Sequence, residues 1–331
     1  MMIKKTILSV VCLLMLFTSA CAAAQISLVP TAQAQPTSTL ITPAAPSSPA
    51  SPAATATTAP SPVAASPSPV LTATDIPTAT ITPTATPDTR LPPNLWTQWP
   101  IVPTLSARAI AIYQQGQKLG NDPHSFARIG DCQSEPEVFL GLYDDPTRYY
   151  FTEKYKYLQM TVNQFAGSFA RSNVTARRGF GIASVFSPLQ ADPTVCNNNE
   201  TPLDCEYRLH KPSFIFVSMG TNWCKGCSAR FEEYLRKIVD FSIAHGVVPI
   251  LSTKADNMEG DNSLNLAVAR VAYDYDLPLW NFWLAVQYLP NGGLAKDNIY
   301  LTVAGWDERS FTGLQTLDAL WTSLEKLGIP K

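Results

Sequence analysis

The sequence predicts an α/β fold built on a mainly parallel sheet, and three observations carry that prediction. Short apolar runs of strand length alternate with amphipathic stretches of helix length from about residue 106 onward. One run, Phe214-Ile215-Phe216-Val217-Ser218-Met219, is continuous rather than alternating, as strands covered on both faces are. The third observation is a sharp change of composition. Residues 22–90 hold 13 of the 28 prolines, no glycine and only three charges, Asp75, Asp88 and Arg90. The folding unit is therefore 91–331, a length that can bury one large core.

Taken in order, the chain first reads as an address. Lys4 and Lys5 precede an apolar stretch from Thr6 to Ala20 that is too short to span a membrane as a mature helix, so 1–20 is expected to be an export signal. Thr18-Ser19-Ala20-Cys21 resembles a bacterial lipoprotein signal, which implies a lipid on Cys21; cleavage at Ala22-Ala23-Ala24 would export the protein without one. Residues 21–90, rich in Ala, Pro, Ser and Thr, have too little large apolar surface to offset chain entropy and read as a disordered, semi-stiff stalk. Together these predict a surface domain held at the outer face of the cytoplasmic membrane, or a secreted one.

Within the folding unit, Ser106 to Leu119 has helical spacing, and Asn121-Asp122-Pro123 stops it. Phe126 to Ile129 is a short strand ending at Gly130-Asp131. Tyr155 to Phe169 reads as a helix and Gly181 to Phe186 as a strand. The buried run at Phe214 is followed by a helix from Ala229 to His245, with Phe231, Leu235, Ile238 and Ile243 inward. Val247 to Ser252 is the next strand, Ser263 to Tyr275 a helix, Leu279 to Phe282 a strand, and Phe311 to Leu327 the closing helix. Strands alternating with helices imply a parallel sheet with both faces covered.

Ligands of such sheets bind at the carboxyl ends of the strands. The residues there are Gly130-Asp131-Cys132-Gln133, then Gly220-Thr221-Asn222, and finally Asp297-Asn298-Ile299-Tyr300-Leu301-Thr302 before the last helix. In this order the motifs resemble the SGNH (GDSL-type) hydrolase family, with its Gly-Asp-Ser, Gly-x-Asn-Asp and Asp-x-x-His signatures. The resemblance covers nearly all of 106–327. It implies a flavodoxin-like three-layer sandwich and an ancestry in ester hydrolysis. Residue by residue, it makes Cys132 stand at the nucleophilic serine and Asn222 at the oxyanion donor. Gly179, or Gly181, stands at the glycine whose N–H joins that donor. Asp297 stands at the triad aspartate and Tyr300 at the histidine, while Trp223 replaces an aspartate.

These departures fall on the chemistry. Tyrosine titrates near 10 and cannot take a proton from a thiol of reference pKa about 8.5. His124, His210 and His245 are the chain's three histidines, and each precedes a strand, at the edge opposite the site. A helix beginning near Glu135 would lower the Cys132 pKa through its dipole and leave an unaided thiolate as nucleophile. The expectation is an SGNH-like homologue with impaired or absent serine-type catalysis. The alternatives are a binding module on the same fold, for a small ester or carbohydrate-type ligand, or a thiol–disulfide role for Cys224 and Cys227.

Cysteine spacing adds to this. Cys196 and Cys205 bracket a polar loop and are expected to close it as a disulfide. Trp223-Cys224-Lys225-Gly226-Cys227 looks like a thioredoxin redox motif, yet too little chain separates it from Pro249 for that fold. Cys132 could bridge to Cys224 or Cys227, those two could pair locally, or all three could remain thiols. Zinc on Cys132, Cys224 and Cys227 lacks a fourth ligand, and no cofactor is expected. Trp280, Phe282 and Trp283 read as core and site wall, with an aromatic floor for sugar or acyl groups as the alternative. With 21 Lys and Arg against 24 Asp and Glu in 91–331, no basic face is implied and nucleic acid is not an expected partner.

Overall fold

The computed structural model describes residues 88–222 and 225–329. The expected signal, nearly all of the stalk, Cys21, Trp223 and Cys224 lie outside the described residues. No described helix is long and apolar enough to cross a membrane.

Four parallel strands, β1 (Asp122–Gly130), β2 (Pro212–Ser218), β3 (Val248–Ser252) and β4 (Leu279–Trp280), lie side by side in that order. A single parallel bridge from Gly130 to Ala176 adds a fifth position on the other side of β1. The Gly130 N–H donates to the Thr175 carbonyl at 3.0 Å, and the Arg177 N–H donates to the Gly130 carbonyl at 3.2 Å. The chain therefore leaves β1 to one side and returns to β2 on the other. That flavodoxin-like order opens a crevice at the carboxyl end of β1, where the connections diverge.

The expected strand at 181–186 is not formed. Pairing stops at Arg177, and Gly179, at φ +83°, turns the chain away. Residues 184–186 form one 3₁₀ turn instead. The pairing segment lies earlier because buried side chains hold the stretch before it. Arg128, fully buried in the middle of β1, donates to the carbonyls of Phe139 at 2.8 Å, Phe169 at 2.9 Å and Arg171, and to Asn173 Oδ1 at 2.8 Å. Glu206, also fully buried, accepts from Asn173 Nδ2 at 2.6 Å and from the Val174 N–H at 2.8 Å. Burial pushes the Arg128 guanidinium down to about 10.

The same network shortens a helix. The expected helix at 155–169 exists only as α2 (Leu158–Gln164), because Gly167 at φ +86° breaks it and Arg128 draws the following carbonyls inward. Of the other helices, α1 (Ala107–Leu119) starts at Ser106, whose hydroxyl accepts from the Ala109 N–H. An unexpected helix, α3 (Pro202–His210), follows the polar loop; Thr201 caps it by accepting from the Asp204 N–H. α4 (Ser228–Ala244) and α5 (Ser263–Tyr275) match their apolar periodicity. After β4 the chain turns at once into α6 (Phe282–Ala285), with the Asn281 side chain as cap, so the expected strand loses Phe282. The last helix, α7 (Val303–Lys326), begins at Thr302 rather than near Phe311, since the Thr302 hydroxyl accepts from the Gly305 N–H.

One layer is α4 and α5, packed on each other and on β3; α2 and α7 pack together as the other. Aromatic rings fill the space between sheet and helices. Phe216 meets Phe126, Phe139 and Trp280 edge-on, and Phe139 stacks on Trp280 at 5.4 Å. Each such ring contributes about 2–3 kcal/mol by burial. The fold begins before residue 91. Arg90 lies 4.2 Å over the Tyr273 ring and donates to the Tyr273 carbonyl at 2.9 Å and to Asp276 at 3.0 Å.

Cys196 and Cys205 are joined, Cα atoms 5.4 Å apart, closing the loop that leads into α3. Cys205→Ala should lower stability by about 2–3 kcal/mol in urea unfolding under oxidising conditions, the loop-closure entropy of so short a ring.

Burial pushes the Glu206 carboxyl up to about 7, against the pull of Asn173, Arg171, the Val174 N–H and Arg128. His210, 3.7 Å from Glu206, is pushed down to about 4 by burial and by Arg171, so the two are not an ion pair at neutral pH. A raised carboxyl contributes stability that is full below about 4.5 and lost as pH rises through about 7. The lowered imidazole contributes above about 6.5 and loses its share as pH falls through about 4. Relative to wild type, Glu206→Gln should gain stability between pH 4.5 and 7, on the order of 3 kcal/mol, read from urea midpoints across that range.

Candidate functional site at the carboxyl edge of the sheet

The site grows from one buried carboxylate. Asp131 follows the last residue of β1 and is 1 % exposed. Its Oδ1 accepts from the Gln133 N–H at 3.0 Å and its Oδ2 from the Thr221 N–H at 3.0 Å. The loops after β1 and β2 are thereby tied together. Burial pushes the Asp131 carboxyl above its usual range; the two N–H donors and the Arg309 charge pull it back. The Gln133 amide extends the tie by donating to Thr221 Oγ1 at 2.9 Å and to the Ile299 carbonyl at 3.1 Å. Three segments far apart in sequence, around 132, 221 and 299, thus meet at one place.

Cys132 opens the turn that Asp131 caps and is half-buried. Residues 132–134 are a single 3₁₀ turn, and residues 135–140 are further turns. No helix begins near Glu135, so the expected dipole at Cys132 is absent. Beneath the turn lies Arg309 of α7, 2 % exposed. It donates to Ser218 Oγ at 2.8 Å and stacks over Phe139 at 4.7 Å. Burial pushes its guanidinium down to about 10, while the Asp131 and Cys132 charges draw it up.

Asn222 projects from the loop after β2 and donates to the Phe180 carbonyl at 2.7 Å. That bond brings it to the Gly179-Phe180-Gly181 segment. Gly181's N–H is spent on Ser184 Oγ at 3.0 Å, whereas Gly179 is exposed, at φ +83°, with open space around it. Of the two glycines, Gly179 keeps the N–H that a ligand oxygen could use.

Asp297 is exposed, and its Oδ1 accepts from the N–H groups of Ile299 at 2.9 Å and Tyr300 at 3.0 Å. It shapes the turn before α7. Tyr300 is half-buried in a turn whose antiparallel bridge joins Leu294 to Leu301.

The three histidines lie at the other end of the sheet. His124 sits near the start of β1, with Nδ1 3.1 Å from the Gln164 carbonyl. His210 ends α3 just ahead of β2, and His245 follows α4, stacked on Phe241 at 4.1 Å.

Cys227 is disulfide-bonded and Cys132 is not, so the bridge expected as one alternative between them does not exist. The partner of Cys227, and with it any Cys224–Cys227 pairing, lies outside the described residues. The one described group with metal-ligand spacing, Cys196, Glu200 and Cys205, has both sulfurs in a disulfide and cannot ligate through them. Trp280 and Phe282 are core residues, and Trp283 meets Trp96 edge-on at 5.0 Å; they form no open aromatic floor.

In the sequence, Asp131, Gln133 and Thr221 stand out only as strand-end residues, with no role attached to them. Arg309 does not stand out at all, because an arginine within a long helix gives no signal of burial.

No family model and no curated protein matches the chain. Solved structures do. An esterase, EstA, from Pseudoalteromonas sp., inhibited by monoethylphosphonate, is 12 % identical over 60 % of this chain and 99 % of its own, with a TM-score of 0.39. TesA is 16 % identical over 61 % of this chain and 99 % of its own, with a TM-score of 0.36. A catalytic mutant of Axe2, an acetylxylan esterase from Geobacillus stearothermophilus, is 14 % identical over 60 % of this chain and 95 % of its own, at 0.38.

Asp131→Ala would leave the Gln133 and Thr221 N–H groups without their acceptor and Arg309 without its facing charge. It should cost about 3 kcal/mol in urea unfolding, more than Asp131→Asn, which keeps an acceptor oxygen.

Proposed function

We propose that this chain is an exported, surface-anchored SGNH-type domain that has lost serine-type ester hydrolysis. It holds a small ester or carbohydrate-type ligand at the carboxyl edge of its sheet without turning it over. One observation carries the reading: no histidine accompanies the nucleophile position. All three lie at the amino-terminal end of the strands, and tyrosine stands at the position before α7. Serine-type acyl transfer needs a base that takes the nucleophile's proton and returns it to the leaving group. A tyrosine titrating near 10 does neither for a thiol near 8.5. No α-helix starts at Cys132, so a helix dipole does not activate its thiolate.

The binding half of the old site has support of its own. Asn222 and Gly179 stand on neighbouring loops joined by the Asn222–Phe180 hydrogen bond, and Asp131 holds the Asn222 loop in register with the Cys132 turn. Export and anchoring rest on the charged start, apolar stretch and Cys21 of the leader.

A second reading, thiol–disulfide exchange, has one observation in its favour. Cys227 is a half-cystine at the amino end of α4, where the helix dipole lowers a thiol's pKa. Catalysed insulin reduction that disappears in Cys227→Ser would establish it.

Hydrolysis of p-nitrophenyl acetate by wild type should not exceed that by Cys132→Ala at pH 7–8; a clear excess would overturn the proposal. The double variant Cys132→Ser, Tyr300→His should exceed wild type by about 10²-fold or more, while each single change does little, because nucleophile and base act as a unit.

A further inference from the structure

Beside Asn222, a cavity of about 250 Å³ opens between the 181–183 segment and α4. Its walls are apolar: Ile182, Phe231, Tyr234 and Leu264. Its rim carries Arg230. The carboxylates nearest on α4 are committed elsewhere. Glu232 binds Arg236 and Arg270, each at 2.6 Å, and Glu233 binds Lys237 at 2.7 Å. Arg230 forms no salt bridge with a described carboxylate. Its guanidinium lies 5.9 Å over the ring of Tyr234, so its charge stands against the apolar wall.

We propose that this cavity binds an amphipathic monoanion, a short acyl chain or similar apolar body that ends in a carboxylate. Burial of apolar surface against Phe231, Tyr234 and Leu264 supplies the attraction, and Arg230 selects the charge. A neutral ligand would gain nothing from the guanidinium's charge, and an ammonium would be repelled by it. The space suits a chain of moderate length, because a water occupies about 30 Å³ in the liquid and the cavity takes the equivalent of several. The proposal rests on the reading of this edge as a ligand-binding site and narrows the ligand class.

Calorimetric titration of the full chain with octanoate, 1-octanol and octylamine tests it. Octanoate should bind about tenfold more tightly than octylamine, with octanol between them, as one charge-assisted contact at a partly covered rim allows. Arg230→Gln should weaken octanoate about three- to fivefold and leave octanol unchanged. Ala183 is exposed at the cavity mouth, and Ala183→Trp should abolish binding of all three without affecting the unfolding midpoint. Octylamine binding as well as octanoate would overturn the charge assignment. Octanoate binding that survives Ala183→Trp, or that is absent in wild type at millimolar concentration, would overturn the site. Ester turnover by wild type would overturn the silent-site reading above while leaving these binding results standing, so the two fail separately.

Discussion

The geometry of the functional edge depends on one buried carboxylate. Asp131 has no exposed surface to speak of, yet it is the acceptor for two backbone N–H groups belonging to different loops. A carboxylate in that setting is costly to bury, and its cost is met by directed donors and by the Arg309 charge beneath it. The consequence is positional: Cys132 and Asn222 are each only one residue from an atom that Asp131 holds. Without it, the two loops would be joined only through side chains on their flanks.

A second polar device sets the edge of the sheet. Arg128 occupies an inward position in β1 where a strand of this kind ordinarily carries an aliphatic side chain. Its donors answer carbonyls that would otherwise lie buried and unpaired, in a stretch that is neither helix nor strand. Glu206 completes the set from α3. The edge position beside β1 therefore shrinks to a single bridge at Ala176, and the Gly179 segment is released to turn over the site.

At the carboxyl edge, Asn222 and the exposed Gly179 stand on loops joined by the Asn222–Phe180 hydrogen bond. All three imidazoles lie at the amino-terminal edge of the parallel sheet, separated from its carboxyl edge by the length of the strands.

Much of this is legible in the amino-acid sequence. The continuous apolar run of β2, the periodicity of α4 and α5 and the strand-end motifs point to the class of fold and to the edge at which function gathers. The placement of all three histidines at the wrong edge follows from their order relative to the strands. The misreadings share a cause. Residues 181–186 look like a strand and 155–169 like a helix by local pattern, but Arg128 and Glu206, distant in sequence, hold Phe169, Arg171, Asn173 and Val174 between them. α7 reads short because its first turn is capped by Thr302 and exposes Val303, so no apolar stripe marks it. The alternation of elements and the identity of the groups at the strand ends belong to the sequence alone, since both depend on local order and periodicity. Whether Gly179 or Gly181 keeps its N–H, whether Cys132 meets a helix dipole, and that Arg309 lies beneath the site were decided only by tertiary structure. Each turns on which hydrogen-bond partner a buried group finds across the fold.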